Sequence, residues 1–366
     1  MPQRAAIASM SLGRAWVHKL PNKLDQAAKY GFEGIEMFFE DIEYFAFDMF
    51  HVNSPSDLTQ DNYIDAASAI RTLCNDRGLE IVCLQPFMNY EGLRDREAHA
   101  RRLEQMKLWL RIAKVLGTTI VQIPSSMLPE EELSGDVDEM VQDLQEVANL
   151  GLQESPVIRF AYESLAWGTF VDTWEQCWKI VEMVDRPNFG VCLDTYNIAG
   201  RVYADPTAAE GKTPDALSNI MASIERLRNT VNVEKVFFVQ VVDAEKLEQP
   251  LIEGHQFYNP VQPARMSWSR NCRLFYGEQD RGGYLPVKEI ADVFLNGIGF
   301  EGWWSMELFN RCMAFEDPGI PEELARRGME SWIKLKRDLH IVDANNDDGD
   351  IAPNDIQYDY RLQLKL

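Results

Sequence analysis

Short runs rich in Val, Ile and Phe recur along the chain, each followed by a longer stretch whose apolar residues fall three and four positions apart. The short runs predict strands over 5–11, 34–39, 80–87, 119–125, 158–164, 189–195, 236–243 and 302–309. The longer stretches predict helices, among them 23–30, 95–116, 138–150, 173–184, 216–230 and 287–295. Several run into a glycine (Gly31, Gly78, Gly117, Gly297), as a left-handed C-cap leading into the next strand requires. Strand and helix alternating in this way mark a parallel sheet, and eight such units predict closure into an α/β (β/α)8 TIM barrel. The rival is an open doubly wound sheet. It would carry a glycine-rich nucleotide loop after its first strand, and this chain has none there.

Two long connections interrupt the alternation, over 40–60 and 244–284. The second, after the seventh strand, has the length of a functional loop over the active face. The chain thus divides into a single catalytic domain over 1–340 and a C-terminal tail over 341–366. The acidic run at 343–350 suggests a calcium loop, but its glycine is one place late for an EF-hand and no glutamate closes it, so a solvated tail is expected.

Composition narrows the function. Lys and Arg number 36 against 58 Asp and Glu, and a net charge of -22 would repel a phosphate backbone, which argues against nucleic acid. A start without an apolar leader core, and the lack of any long apolar run, predict neither secretion nor a membrane partner. The six cysteines form no CxxC pair, and Cys83 and Cys192 sit in apolar strands, so reduced core thiols in a cytoplasmic protein are expected. Oligomeric state is left open between monomer and homo-oligomer.

In a barrel of this kind the chemistry comes from the C-terminal ends of the strands. The fifth predicted strand ends at Glu163, the sixth at Asp194 and the eighth at Glu307, while the seventh carries Gln240 inside an apolar run, with Asp243 three residues on. Buried ionised groups are costly unless paired or bound to metal, and oxygen donors converging from neighbouring strands suit a hard divalent cation such as Mg2+, Mn2+ or Co2+. Singly, each acid could cap a helix or pair with arginine, Gln240 could be a satisfied core amide, and Asp243 could support the ligands from behind. In the loop after the seventh strand, Arg270 and Arg273 offer planar forks for a substrate carboxylate, with Ser267 beside them; local ion pairs with Glu278 or Asp280 are the competing reading. His255, in the same loop, is the best-placed histidine for acid–base work, with a solvated surface histidine as the alternative.

The segments around Tyr162-Glu163, Leu193 to Gly200, Val239 to Asp243 and Met306 to Asn310 resemble the xylose isomerase-like barrel superfamily. Longer stretches (Ser9 to Arg14, Cys83 to Phe87, Pro263 to Arg273 and Pro321 to Gly328) resemble the fungal 3-dehydroshikimate dehydratases of quinate catabolism. The likeness spans 5–340. It implies a hydro-lyase that converts 3-dehydroshikimate to protocatechuate, with a divalent metal at Glu163, Asp194, Gln240 and Glu307. Bacterial members often carry a histidine three residues after the metal-binding aspartate, where this chain has Asn197. Asn197 and His255 are thus the positions considered for proton transfer. Alternatives on the same barrel are a keto-sugar isomerase or epimerase, an inosose dehydratase, and a non-catalytic carbohydrate-binding barrel. A trinuclear-zinc endonuclease would need more than these five histidines.

Overall fold

The computed structural model describes residues 3–341. Eight parallel strands close on themselves: β1 (Arg4–Ala8), β2 (Gly34–Phe38), β3 (Glu80–Gln85), β4 (Ile120–Pro124), β5 (Arg159–Glu163), β6 (Phe189–Asp194), β7 (Val236–Gln240) and β8 (Trp303–Met306). They follow chain order around the ring, and β1 pairs with both β2 and β8, so the barrel has no free edge. This is the (β/α)8 TIM barrel that the alternating pattern predicts. The strands stop one to three residues short of the predicted ends, because at the rim the chain turns out of the ladder; after β1, for example, Ser9–Leu12 coils into a 3-10 turn.

Ala6, Cys83, Ala161, Cys192 and Phe238 fill the barrel interior as a buried cluster separate from the larger core between strands and helices. Val82 and Ile120 belong to the same cluster, so small, branched and aromatic side chains together fill this layer. Above them lies a polar layer of Glu36, Gln122, Gln240 and Ser305, all buried. That layer is the floor of the site.

The helices around the barrel are α1 (Leu20–Lys29), α2 (Phe39–Phe50), α3 (Gln60–Asn75), α4 (Arg96–Leu116), α5 (Val137–Leu152), α6 (Trp174–Val184), α7 (Thr195–Val202), α8 (Ala216–Thr230), α9 (Ala264–Cys272), α10 (Val287–Asp292) and α11 (Ile320–Asp338). Their ends follow local chemistry. In α4 the Asp95 carboxylate accepts the N–H groups of Glu97 and Ala98 at one end, and Gly117, at φ 86°, closes the other, while Met106, Trp109, Leu110 and Ala113 bury the inner face.

Two expectations need correction. The segment 40–60 is not a plain connection, since α2 occupies most of it. Its aromatic residues (Phe39, Tyr44, Phe45, Phe47, Phe50) are spread round the helix and it starts without a side-chain cap, so no single apolar stripe or start signal marks it. Gly297 does not cap a helix in the left-handed region. It lies in a π-turn over Val293–Gly297, and the positive φ of 71° falls at Gly299. The loop 244–284 is also partly ordered, holding α9 and a two-residue antiparallel ladder between Asp243–Ala244 and Arg273–Leu274. All six cysteines are free thiols. Among the described residues no helix is long and apolar enough to cross a membrane. The acidic run of the tail lies outside the described residues.

Candidate functional site

Strand register brings the predicted donors to one rim. Asp194 and Gln240, the last residues of β6 and β7, are direct ladder partners; Glu163 ends β5, and Glu307 follows β8 by one residue. Glu163, Asp194 and Glu307 are all buried and each offers one carboxylate oxygen, these oxygens lying within 4.8 Å of one another. Such a triad could hold a metal ion.

Every oxygen of the triad is oriented by a neighbour. Glu163 accepts from the Gln122 amide (2.6 Å) and from Asn197 Nδ2 (2.8 Å). Asp194 caps α7 by accepting the Tyr196 N–H (2.7 Å), and its other oxygen accepts from Asn197 Nδ2 (3.0 Å) and from Arg273 Nη1 (2.9 Å). Glu307 accepts from Gln240 Nε2 (3.0 Å) and from the same Arg273 Nη1 (2.9 Å). A carboxylate oxygen has two lone-pair directions, so these bonds fix the side chains and, at every triad oxygen but Asp194 Oδ2, leave room for a further partner. Gln240 Oε1 is buried without a hydrogen-bond partner. The three carboxylates are a hard, all-oxygen donor set that fits a divalent cation, and a flip of the Gln240 amide, whose Nε2 is turned to Glu307 and Glu36, would bring its orphaned oxygen to the same side.

The electrostatics agree. Burial holds all three carboxyls above their ordinary values: Glu163 well above, Asp194 raised against the pull of Arg273, and Glu307 pushed up to about 8. Glu36, in the polar layer below, is pushed to about 7 by burial despite donors from Ser305 and Gln240. Burial would lower the Arg273 guanidinium, but Asp194 and Glu307 reverse the effect and raise it. A cluster of this kind must hold protons or a cation. Because these carboxyls bind protons more tightly folded than unfolded, their contribution to metal-free stability is present below the ordinary carboxylate range and lost as pH rises through about 7 for Glu36 and about 8 for Glu307. Chelator-treated protein should therefore melt at a falling temperature between about pH 5 and about pH 8.5, with the gap to cation-loaded protein widening over the same span. A melting temperature that rises with pH in the chelated sample would contradict a proton-loaded cluster.

Above the triad opens a cavity of about 440 Å3, walled by Met10, Phe38, Met127, Trp167 and Phe309 on its apolar side. Its charged lining is Glu163, Glu307 and Arg273 on the floor, with Arg14, Glu40 and Arg270 around them. Arg273 is fixed from every side: Nε donates to Ser269 Oγ (2.9 Å), the guanidinium lies 4.2 Å over the Tyr196 ring, and the Asn310 amide donates to its carbonyl. Arg270 donates only to the neutral Gln262 amide (3.0 Å), and the Arg14 charge, after burial, depresses its pKa. Two guanidiniums that feel one another at a cavity wall form a place for an anion.

The remaining predicted residues divide. Asn197 is beside the triad, but its amide is fully used: Nδ2 bridges Glu163 and Asp194, and Oδ1 accepts the Ala166 N–H (3.0 Å). An amide so held positions the Glu163 and Asp194 carboxylates and carries no proton for transfer. His255 does not line the cavity; its Nδ1 accepts the Phe257 N–H (3.1 Å) within its own loop. Ser267 is buried against Gln262, whose amide it accepts at 2.6 Å, and it is Ser269, one α9 position pair further on, that reaches the cavity wall. Asp243 stands apart from the triad, accepting the N–H groups of Ala244, Tyr284 and Leu285 and anchoring the loop after β7. Sequence reasoning missed Arg14, Glu36, Glu40, Gln85, Gln122 and Ser269. Glu36, Gln85 and Gln122 had a readable signal, being polar residues inside apolar strands as Gln240 is.

The chain matches the family model described as a xylose isomerase-like TIM barrel over residues 24–335. It is 57% identical to a 3-dehydroshikimate dehydratase of Neurospora crassa, over 93% of this chain and 96% of that one. A 3-dehydroshikimate dehydratase of Pseudomonas aeruginosa is 30% identical over 83% of this chain, which spans only 38% of that longer protein. Among solved structures, a xylose isomerase-like TIM barrel/4-hydroxyphenylpyruvate dioxygenase fusion protein superposes with a TM-score of 0.68 at 25% identity, covering 93% of this chain and 44% of that one. A closed eight-stranded barrel, a carboxylate triad at its rim and a family match across most of its length lead to one assignment: the chain belongs to the xylose isomerase-like TIM barrel family.

Proposed function

We propose that this chain is a hydro-lyase that removes water from 3-dehydroshikimate to give protocatechuate. The observation that carries this reading is 57% identity to a dehydratase of that name along nearly its whole length. The site fits the chemistry. Glu163, Asp194, Glu307 and the orphaned Gln240 oxygen would hold a divalent cation, with Mg2+, Mn2+ or Co2+ the ions best suited to an all-oxygen set. Once bound, the cation would polarise the C3 carbonyl and acidify the adjacent C4 proton.

The protein's own groups supply the rest. Arg273, locked between Asp194 and Glu307, sets a permanent positive charge where negative charge grows on the C3 oxygen as the C4 proton leaves. Arg270, together with Arg14, takes the substrate carboxylate, which refines the sequence expectation that Arg270 and Arg273 share that task. The apolar wall of Phe38, Trp167 and Phe309 packs on the ring and excludes water, so these charges act at low dielectric. Loss of the C5 hydroxyl as water, followed by net transfer of a C6 proton to the C3 oxygen, then yields the aromatic catechol, and aromaticity makes the last step effectively irreversible. The six free thiols accord with a reducing cytoplasmic location. Residues 1–340 form the catalytic domain in this reading, with 341–366 an appended tail.

The test is one assay. Mixing the protein with 3-dehydroshikimate should produce the near-ultraviolet absorbance of a catechol acid; exhaustive EDTA treatment should abolish turnover, and Mg2+, Mn2+ or Co2+ should restore it. Calorimetric binding without turnover would favour a carbohydrate-binding barrel instead. Full activity in a verified metal-free sample would remove the cation from the mechanism.

A further inference from the structure

The reaction needs a group to take the C4 proton, and the cavity wall offers few. Among the residues that line it there is no histidine, lysine, tyrosine or cysteine, and only three carboxyls: Glu163, Glu307 and Glu40. The first two belong to the proposed cation cage. Asn197, an amide with every polar atom engaged, offers no base, and His255 is not on the wall. Glu40 remains. Resting on the dehydratase reading above, we propose that Glu40, carried by α2, is the general base of this enzyme.

The surroundings suit that task. Glu40 stands two residues past the end of β2, in the first turn of α2, where the helix dipole favours its ionised form. Arg14 Nη2 donates to Oε2 at 3.1 Å and the Ala15 backbone N–H also faces the carboxylate, so the side chain is fixed at the cavity wall. Arg14 is itself fixed, resting 4.1 Å over the Trp16 ring and donating to Met10 Sδ. Partial burial lifts the Glu40 carboxyl above the ordinary range and the Arg14 charge pulls it part of the way back, which leaves it more basic than a carboxylate in water. The same guanidinium that grips Glu40 faces Arg270, so the two arginines and the base lie on one stretch of the cavity wall. In the step itself the C4–H bond breaks, its proton passes to the Glu40 carboxylate, and its electron pair moves into the C3–C4 bond as negative charge collects on the C3 oxygen. The protonated carboxyl then returns the proton to the departing C5 hydroxyl, so that water leaves and Glu40 is regenerated.

The experiment compares the cation-loaded wild type with Glu40→Gln and Glu40→Ala, and it also measures protocatechuate binding calorimetrically. Glu40→Gln should lose about a hundredfold or more in kcat with KM, cation content and protocatechuate affinity within about threefold of wild type. Formate should restore part of the rate to Glu40→Ala, because a small carboxylate can occupy the vacated space. A kcat within about threefold of wild type in Glu40→Gln would overturn the proposal. So would a defect confined to KM and protocatechuate affinity, which would make Glu40 only the holder of Arg14. If Glu40→Gln does not fold, the formate response of Glu40→Ala decides alone, and no response counts against the proposal. A wild type inert toward 3-dehydroshikimate would instead refute the dehydratase reading on which this one rests.

Discussion

Asp194→Asn is expected to lower kcat/KM about a thousandfold or more, equivalent to about 4 kcal/mol of transition-state stabilisation, while leaving the fold intact. The substitution keeps the size of the side chain and its role at the head of α7, since asparagine caps as well as aspartate and can still accept the Tyr196 N–H. It removes one of three negative charges facing the proposed cation and weakens the anchor of Arg273, which retains Glu307. Cation affinity and stabilisation of the C3 oxygen should fall together. The metal-free form should melt at the same temperature or higher, because like-charge repulsion within the triad is relieved. Glu130→Gln, on the exposed surface, serves as the control. Glu40, the acid just past β2, is no neutral comparison because it lines the cavity. Wild-type rate and metal content in Asp194→Asn would end its assignment as a ligand.

The barrel was legible because both of its periodicities are written in side chains. Strands such as Phe189–Asp194 are short and apolar throughout, as strands covered on both faces must be, and the helices between them carry one apolar stripe. Where a face is not needed the signal fades. The helix Phe39–Phe50 packs on α3, on β2 and on the 3-10 turn after β1, so its apolar residues are spread over several faces and period alone could not tell it from a loop. The ends of β7 and β8 were placed three residues late, since Val241, Val242 and Leu308 are buried like strand residues although they have left the ladder.

The triad and Gln240 were legible for a different reason. A charged or amide residue that ends an apolar strand must be compensated, and four on neighbouring strands implied one shared partner. What sequence could not give was which long side chains from loops turn inward. Arg273 and Arg270 are three residues apart, yet one is locked on the triad floor and the other stands at the wall. Ser267 and Ser269 differ likewise, because successive positions on α9 point to different sides. Arg14 and Glu40 come from loop and helix segments far apart in the chain and meet only through the closure of β1 on β2. No local pattern encodes such a meeting.

Arg273→Met should be the most damaging single change to stability in the absence of a cation. The guanidinium is buried and its Nη1 is shared by Asp194 and Glu307, so its removal strands two buried carboxylates; breaking a buried pair in this way typically costs roughly 3–5 kcal/mol. Methionine fills much of the volume between Tyr196 and Phe309 and limits the packing loss, so the defect should be mainly electrostatic. That origin gives it a pH signature. Without Arg273 the folded-state carboxyl pKa values rise further, and Glu307 already stands at about 8. The penalty should therefore be greatest at alkaline pH and shrink as pH falls and the carboxyls take up protons. It should also shrink when a divalent cation is added, because the cation supplies the positive charge the variant lacks. Activity should remain low even in the cation-loaded variant, by about a hundredfold to a thousandfold, since a charge placed beside the C3 oxygen is gone. Arg273→Lys should recover stability better than rate, because a single ammonium can neutralise the cluster but cannot span both carboxylates and Ser269 at once. Urea denaturation of the chelated and cation-loaded forms across pH reads all of this directly. Chelated Arg273→Met as stable as chelated wild type at alkaline pH would show that the guanidinium does not hold the triad together.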